Sequence, residues 1–119
     1  MPRPALSAPS LAELATLDDQ AFRKRFAGTA IKRIGRDRFV RNVAYALGNS
    51  QARATALPAV EGLLGDFSPL VRGAAVWALS RLAPHQVAQR QRATREDDAD
   101  VRAEWQDALQ TAQRRDNGR

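Results

Sequence analysis

The sequence predicts an all-α fold of stacked helix pairs, and three observations support this prediction. Apolar residues recur at helical spacing in several segments, no window alternates with the period of two expected of a strand, and one motif recurs about every 30 residues. A chain of 119 residues has room for one modest core. We therefore expect one helical domain over residues 10–112, between a flexible lead at 1–9 and a flexible basic tail at 113–119.

The N-terminal part of this domain predicts short helices. Ser10 and Glu13 form a capping-box pattern at the start of a first helix. The aspartate pair at 18–19 offers an N-cap for a second helix, and a further helical turn should stop at Gly35. We expect residues 10–34 to act as an N-terminal cap on the repeat.

The rest of the chain predicts longer helices with apolar stripes. Pro58 is acceptable only near the first turn of its helix, whereas Pro69 suits a first helical position after Ser68. The predicted helices cover residues 36–47, 54–64, 69–83 and 101–112, and residues 85–95 are expected to be weakly helical at best.

Three of these segments share a motif. A Val-Arg pair, beginning at Val40, Val71 and Val101, is followed about two turns later by Ala-Leu. One helix pair cannot bury its own apolar face, whereas stacked neighbours create a continuous core. The motif therefore predicts a HEAT-like helical repeat, an α-solenoid of about three helix pairs.

The arginines of this motif have a structural interpretation. In HEAT-like repeats such an arginine commonly bonds to the preceding turn, so Arg72 and Arg102 are expected to form structural ion pairs with Asp66 or Asp98. Arg41 shares this interpretation, although it also lies in a basic segment.

Composition excludes much of enzyme chemistry. The chain has no cysteine and one histidine, so disulfides, thiolate-bound zinc, iron–sulfur clusters and cysteine nucleophiles are excluded. The acidic run at 96–100 lacks the alternating ligands and glycine of a calcium loop, and no isolated carboxylate has an acid/base partner. We therefore expect no enzyme activity, cofactor or metal. No apolar run approaches 18 residues and no secretory signal is evident, which predicts a cytoplasmic protein without membrane contact.

Charge is strongly segregated along the chain. The net charge is +6. The segment 23–41 contains eight basic residues and one acid, whereas the segment 96–107 contains six acids. Such a basic segment favours a polyanionic partner, nucleic acid first, through counterion release. The alternative is a solvated face with internal ion pairs, although Asp37 is the only acid nearby in sequence. The candidate nucleic-acid-binding residues are Lys32, Arg33, Arg36, Arg38, Arg41 and Tyr45.

Several motifs in order resemble the C-terminal domain of bacterial epoxyqueuosine reductase. The resemblance runs from about Leu11 to Leu109 and is carried by Ala30-Ile31-Lys32-Arg33, Gly35-Arg36, Arg41-Asn42-Val43, Ala46-Leu47-Gly48-Asn49-Ser50, Ser68-Pro69-Leu70-Val71-Arg72 and Ala75-Val76-Trp77-Ala78-Leu79. The resemblance implies a role in queuosine synthesis on tRNA. It also implies that cobalamin and two four-iron clusters belong to upstream domains, and that the C-terminal repeat helps to hold the anticodon arm.

This chain departs from that family in having no cysteine, and we expect its 119 residues to lack the catalytic domains of the family. The predicted function is therefore a non-catalytic tRNA-binding module that contacts the phosphate backbone of the anticodon arm. The main alternative is a protein–protein scaffold, whose partner would be the missing catalytic domains or another protein. An enzyme of the DNA-lesion class, which also uses HEAT-like repeats, would need a concave aromatic cleft, and only 6% of the residues are aromatic.

Overall fold

The computed structural model describes residues 7–117, which contain helices and no strand. The all-α prediction is confirmed. The α-helices are α1 (Ala8–Leu14), α2 (Asp19–Arg25), α3 (Arg36–Gly48), α4 (Arg53–Leu63), α5 (Pro69–Leu82), α6 (Val87–Ala93) and α7 (Ala99–Asn117), with 3₁₀ helices at Ala30–Ile34 and Pro84–Gln86.

The helices form two layers. Helices α3, α5 and α7 pack side by side, whereas α1, α4 and α6 cover one side of them. The start of α3 lies at the turn before α5 and the end of α3 lies against the end of α5, so these two helices run parallel. This arrangement confirms a helical repeat of about three pairs.

The repeated motif supplies the core. The valines of the three Val-Arg pairs, Val40, Val71 and Val101, are all at most 1% exposed. Leu47 and Leu79, two turns further along α3 and α5, are fully buried. Burying a side chain of this size stabilises the fold by about 1.5–3 kcal/mol. The period seen in the sequence is therefore the period of the core.

The first helix starts earlier than the sequence predicts, so the prediction of a capping box at Ser10 is wrong. Ser7 is the N-cap, and its hydroxyl accepts a hydrogen bond from the Ser10 amide at 3.3 Å. Pro9 lies in the first turn, where a missing amide hydrogen costs nothing. The prediction for α2 holds, because Asp18 accepts a hydrogen bond from the Ala21 amide at 2.7 Å.

Three further differences concern helix extents. Pro58 lies inside α4, beyond its first turn, where burial of Ala56 and Val60 outweighs the missing hydrogen bond. The segment expected to be weakly helical contains α6, which Val87 anchors in the core. Helix α7 continues to Asn117, into the predicted tail. The flexibility predicted for residues 1–6 and 118–119 lies outside the described residues. No helix of residues 7–117 is both long and apolar enough to cross a membrane.

Candidate nucleic-acid interface

Three of the predicted residues are exposed cations around one turn. Lys32 and Arg33 lie in the 3₁₀ helix Ala30–Ile34, and Arg38 lies in the first turn of α3. Gly35 joins the two elements with a backbone φ of 85°, a conformation that residues other than glycine rarely adopt. None of the three cations forms an ion pair with a carboxylate that the structure describes. We call Lys32, Arg33 and Arg38 the N-terminal basic cluster.

Arg36 has a different environment, although it lies between these residues in sequence. It donates from Nη1 and Nη2 to the two carboxylate oxygens of Asp66, at 2.8 and 2.7 Å, and from Nε to the Leu17 carbonyl at 2.8 Å. The side chain is 12% exposed. The hydrogen bonds to Asp66 raise the pKa of Arg36 above its ordinary value. Arg36 therefore ties α3 to the turn before α5 and to the segment between α1 and α2 in the N-terminal cap.

The Asp66 carboxylate is fixed by the same interaction. Burial alone would raise the pKa of Asp66, but the Arg36 hydrogen bonds, the Ser68 amide at 3.0 Å and the nearby arginine charges hold this pKa below its ordinary value. The pair is ionised at neutral pH. An anionic ligand would have to displace Asp66 to reach the Arg36 guanidinium.

Acids outside the basic segment neutralise part of it. Arg23 pairs with Asp19 at 3.1 Å and Arg25 pairs with Glu13 at 3.5 Å, both at the exposed surface. The expectation that Asp37 is the only acid nearby in sequence is therefore wrong for Arg23, whose partner lies four residues away on α2. Glu13 of α1 and Asp66 of the turn before α5 are remote in sequence, and tertiary packing brings them to Arg25 and Arg36.

Arg41 and Tyr45 lie further along α3. The half-buried Arg41 directs its Nε and Nη2 to the Asn42 side-chain oxygen, both at 3.4 Å. The Tyr45 ring packs edge-on against Trp77, with centroids 5.3 Å apart. Tyr45 also lines a groove whose charged residues are Asp98, Asp100 and Glu104. Its surroundings are therefore acidic, whereas the sequence suggests a basic flank.

Two of the three repeat arginines, Arg72 and Arg102, bond to the preceding turn, as predicted. Arg72 donates to the carbonyls of Asp66 and Phe67 at 3.0 and 3.1 Å, and Arg102 donates to the Asp97 carbonyl at 3.0 Å. The carboxylate that pairs with Arg72 is Glu96, at 2.9 and 3.0 Å, rather than Asp66 or Asp98. This hydrogen bonding raises the pKa of Arg72 and, against the effect of burial, lowers that of Glu96.

One exposed aromatic was not selected from the sequence. Phe67 is 98% exposed in the turn before α5. It lines an open groove of about 790 Å³ with the partly exposed Ile34 and Leu70, next to Arg36, Arg38 and four aspartates. The signal was available, since an aromatic residue between Gly65 and Ser68-Pro69 lies in a turn rather than in an apolar stripe.

The fold and this surface define a helical repeat protein, and the comparison with known families agrees. Residues 36–110 match the family model described as HEAT repeats. The match covers more than half of the chain, which therefore belongs to the HEAT-repeat family.

The curated relatives that it matches carry the name epoxyqueuosine reductase. The chain is 41% identical to the protein of Escherichia coli (strain K12) over 80 residues, which is 67% of this chain and 21% of that protein. It is 38% identical to the Shewanella oneidensis protein over 81 residues, covering 66% and 21% of the two chains. The Pseudomonas aeruginosa protein is 38% identical over 80 residues, covering 67% and 22%.

The chain thus spans about a fifth of the length of these relatives. No solved structure gives a significant match. With no cysteine in its sequence, the chain offers no thiolate for the iron–sulfur clusters that the resemblance implies. Among the side chains that the structure describes, no group of three histidine, aspartate or glutamate residues is arranged to hold a metal.

Proposed function

We propose that this chain is a non-catalytic HEAT-repeat module that binds tRNA through its N-terminal basic cluster. The observation that carries the proposal is the exposure of Lys32, Arg33 and Arg38 at one end of α3, without an ion pair to any carboxylate of the described residues. Cations in this state release counterions when they meet a phosphate backbone. Arg36 is not a direct contact in this proposal, because it stabilises the repeat.

The relatives favour tRNA as the polyanion. Their name concerns epoxyqueuosine, and the family resemblance implies that this base is part of a tRNA. The matched region is the repeat alone, so what this chain would share with them is binding of the RNA. Flexible lysine and planar arginine side chains suit the shape and charge of an RNA backbone, and recognition would involve few base edges.

Replacing Lys32, Arg33 and Arg38 together by alanine tests the proposal. We expect the affinity for bulk tRNA in a fluorescence titration to fall at least tenfold, about 1.4 kcal/mol. The slope of log affinity against log salt should decrease by roughly 0.7–0.9 for each phosphate that the variant no longer neutralises. Circular dichroism should show an unchanged fold, because all three side chains are exposed.

The matched control removes the same formal charge elsewhere. Arg23, Arg92 and Arg95 are exposed, and replacing all three by alanine should change tRNA affinity much less. If tRNA affinity falls equally in the two triple variants, the binding depends on net charge and not on the N-terminal basic cluster. If the unmodified protein shows no salt-dependent tRNA binding, the proposal is wrong.

Phe67 supports a second candidate, a protein–protein scaffold. A fully exposed phenylalanine beside two partly exposed aliphatic residues is typical of an interaction surface. The groove also contains more carboxylates than cations, which suits a basic protein partner better than a phosphate. The absence of tRNA binding in the titration would favour this scaffold.

A further inference from the structure

A second group of arginines meets at the opposite end of α3. Arg53, Arg81 and Arg115 line an open groove of about 470 Å³ together with the α3–α4 turn at 48–51. Among the side chains that the structure describes, no acid lines this groove. We call the surface formed by these three residues the arginine groove.

The fold brings these arginines together from three helices. Arg53 is the first residue of α4, whereas Arg81 and Arg115 lie in the last turns of α5 and α7. Gly48 allows the end of α3 to touch α5, because a Cβ there would lie 2.7 Å from the Trp77 ring. The Arg81 guanidinium lies over that ring, 5.7 Å from its centroid, which limits the motion of the side chain.

The arginine groove has no internal neutralisation among the side chains that the structure describes. Arg36, Arg72 and Arg90 each pair with a carboxylate, whereas the three groove arginines are exposed and form no ion pair with a carboxylate of residues 7–115. Like charges that share a groove repel one another, so a bound anion would stabilise this arrangement.

Helix dipoles explain only part of this placement. A cation in the last turn of a helix is favoured by about 0.3–1 kcal/mol, which accounts for Arg81 and Arg115. Arg53 stands at a helix N-terminus, where the dipole disfavours a cation. The same N-terminus has Ala52 as its N-cap and no side-chain cap, so its first amides add positive partial charge near Arg53. The local charges therefore repel the Arg53 guanidinium, and a bound anion would compensate this repulsion.

We infer that the arginine groove binds phosphate groups of an RNA backbone. This inference rests on the proposed function and extends it, because it gives the bound tRNA a second point of attachment. The groove and the N-terminal basic cluster lie at opposite ends of α3, a helix of 13 residues and hence about 20 Å long. An RNA held at both ends of α3 has a fixed orientation on the repeat.

The test replaces Arg53, Arg81 and Arg115 together by alanine in the full chain. We expect tRNA affinity to fall about tenfold and the salt slope to decrease by roughly 0.7–0.9 for each phosphate left without its arginine. The control is again the triple alanine variant of Arg23, Arg92 and Arg95. Circular dichroism and urea unfolding check that the variants remain folded, and charge-preserving lysine substitutions at the three groove positions should restore most of the affinity.

The outcomes separate the two proposals. If the unmodified protein binds tRNA but the groove variant matches the control, the groove inference is wrong and the N-terminal basic cluster remains as the binding site. If the groove variant loses affinity and the control does not, the inference holds. If the unmodified protein does not bind tRNA, both proposals fall together.

Discussion

Individual arginines of the same segment have different roles. Arg36 and Arg38 are two residues apart, yet Arg36 holds Asp66 whereas Arg38 is exposed. The difference arises because Asp66 lies 30 residues further along the chain and packs against the start of α3. The Arg36–Asp66 pair is nearly closed to solvent, with 12% and 11% of the two side chains exposed, so its carboxylate is difficult to replace.

Asp66→Asn should destabilise the protein. The substitution keeps the side-chain shape but leaves Arg36 with only its pair to the exposed Asp37, and removing one partner of a buried pair costs roughly 3 kcal/mol. Urea unfolding followed by circular dichroism measures this destabilisation. Asp37→Asn is the control, because Asp37 is 57% exposed and its 3.2 Å ion pair with Arg36 should contribute less than about 1 kcal/mol. Equal effects of the two substitutions would contradict the structural role of the Asp66 pair.

At the scale of elements, the spacing of α3 and α5 depends on one glycine. A Cβ at Gly48 would lie 2.7 Å from Trp77 Cζ3 and 2.9 Å from Ala78 Cα, and the second of these atoms belongs to the backbone and cannot rotate away. Close approach at this end of the two helices also positions the α3–α4 turn beside Arg81. The same close approach thus contributes to both the core and the arginine groove.

Gly48→Ala should lower the free energy of unfolding by about 1–3 kcal/mol, the usual cost of overpacking a core. Gly62→Ala provides the opposite control. No atom lies within 4 Å of a Cβ at this exposed position in α4, so replacing glycine in the helix should stabilise the protein by about 0.5 kcal/mol. Urea unfolding of both variants tests the close approach, and a neutral or stabilising Gly48→Ala would refute it.

At the scale of the whole molecule, the charges of the chain are only partly separated. Acids from several elements compensate three arginines of the basic segment 23–41. The cations that remain exposed include those at the two ends of α3. The net charge of +6 is therefore a poor guide to the binding surface, whereas the distribution of ion pairs is informative.

The stability of the molecule should fall in acid. The pKa values of Asp66 and Glu96 are lowered in the folded state below the ordinary 3.8 and 4.5, so their contribution is complete above these values and is lost as the pH falls through the folded ones. Glu104 acts in the opposite direction, because burial and then the charge of Asp107 raise its pKa. We expect the effect of the two lowered pKa values to outweigh that of the one raised pKa value. The free energy of unfolding in urea should therefore decrease from pH 7 to about pH 3. Equal stability at both pH values would contradict the two ion pairs.

The sequence alone determined the helical repeat, because its physical cause is local. The structure buries all three repeated valines and the first two repeated leucines, whereas Leu109 is partly buried. The Gly35 turn and the start of α5 at Pro69 lie where the sequence predicts them. The interior position of Pro58 and the helix α6 were missed, because packing against other helices outweighs local preference there. Capping at Ser7 was missed although its cause is local, a hydrogen bond from the Ser10 amide.

Only the tertiary structure decided which cations are available to a partner. A side chain's freedom depends on whether a carboxylate lies within a few ångströms, and Asp66 and Glu96 come from 30 and 24 residues away to engage Arg36 and Arg72. The arginine groove likewise joins residues of α4, α5 and α7, which no local pattern connects. The spacing of apolar residues indicates which face each helix buries. Electrostatic pairing depends instead on distances between side chains, which only the packing of the helices determines.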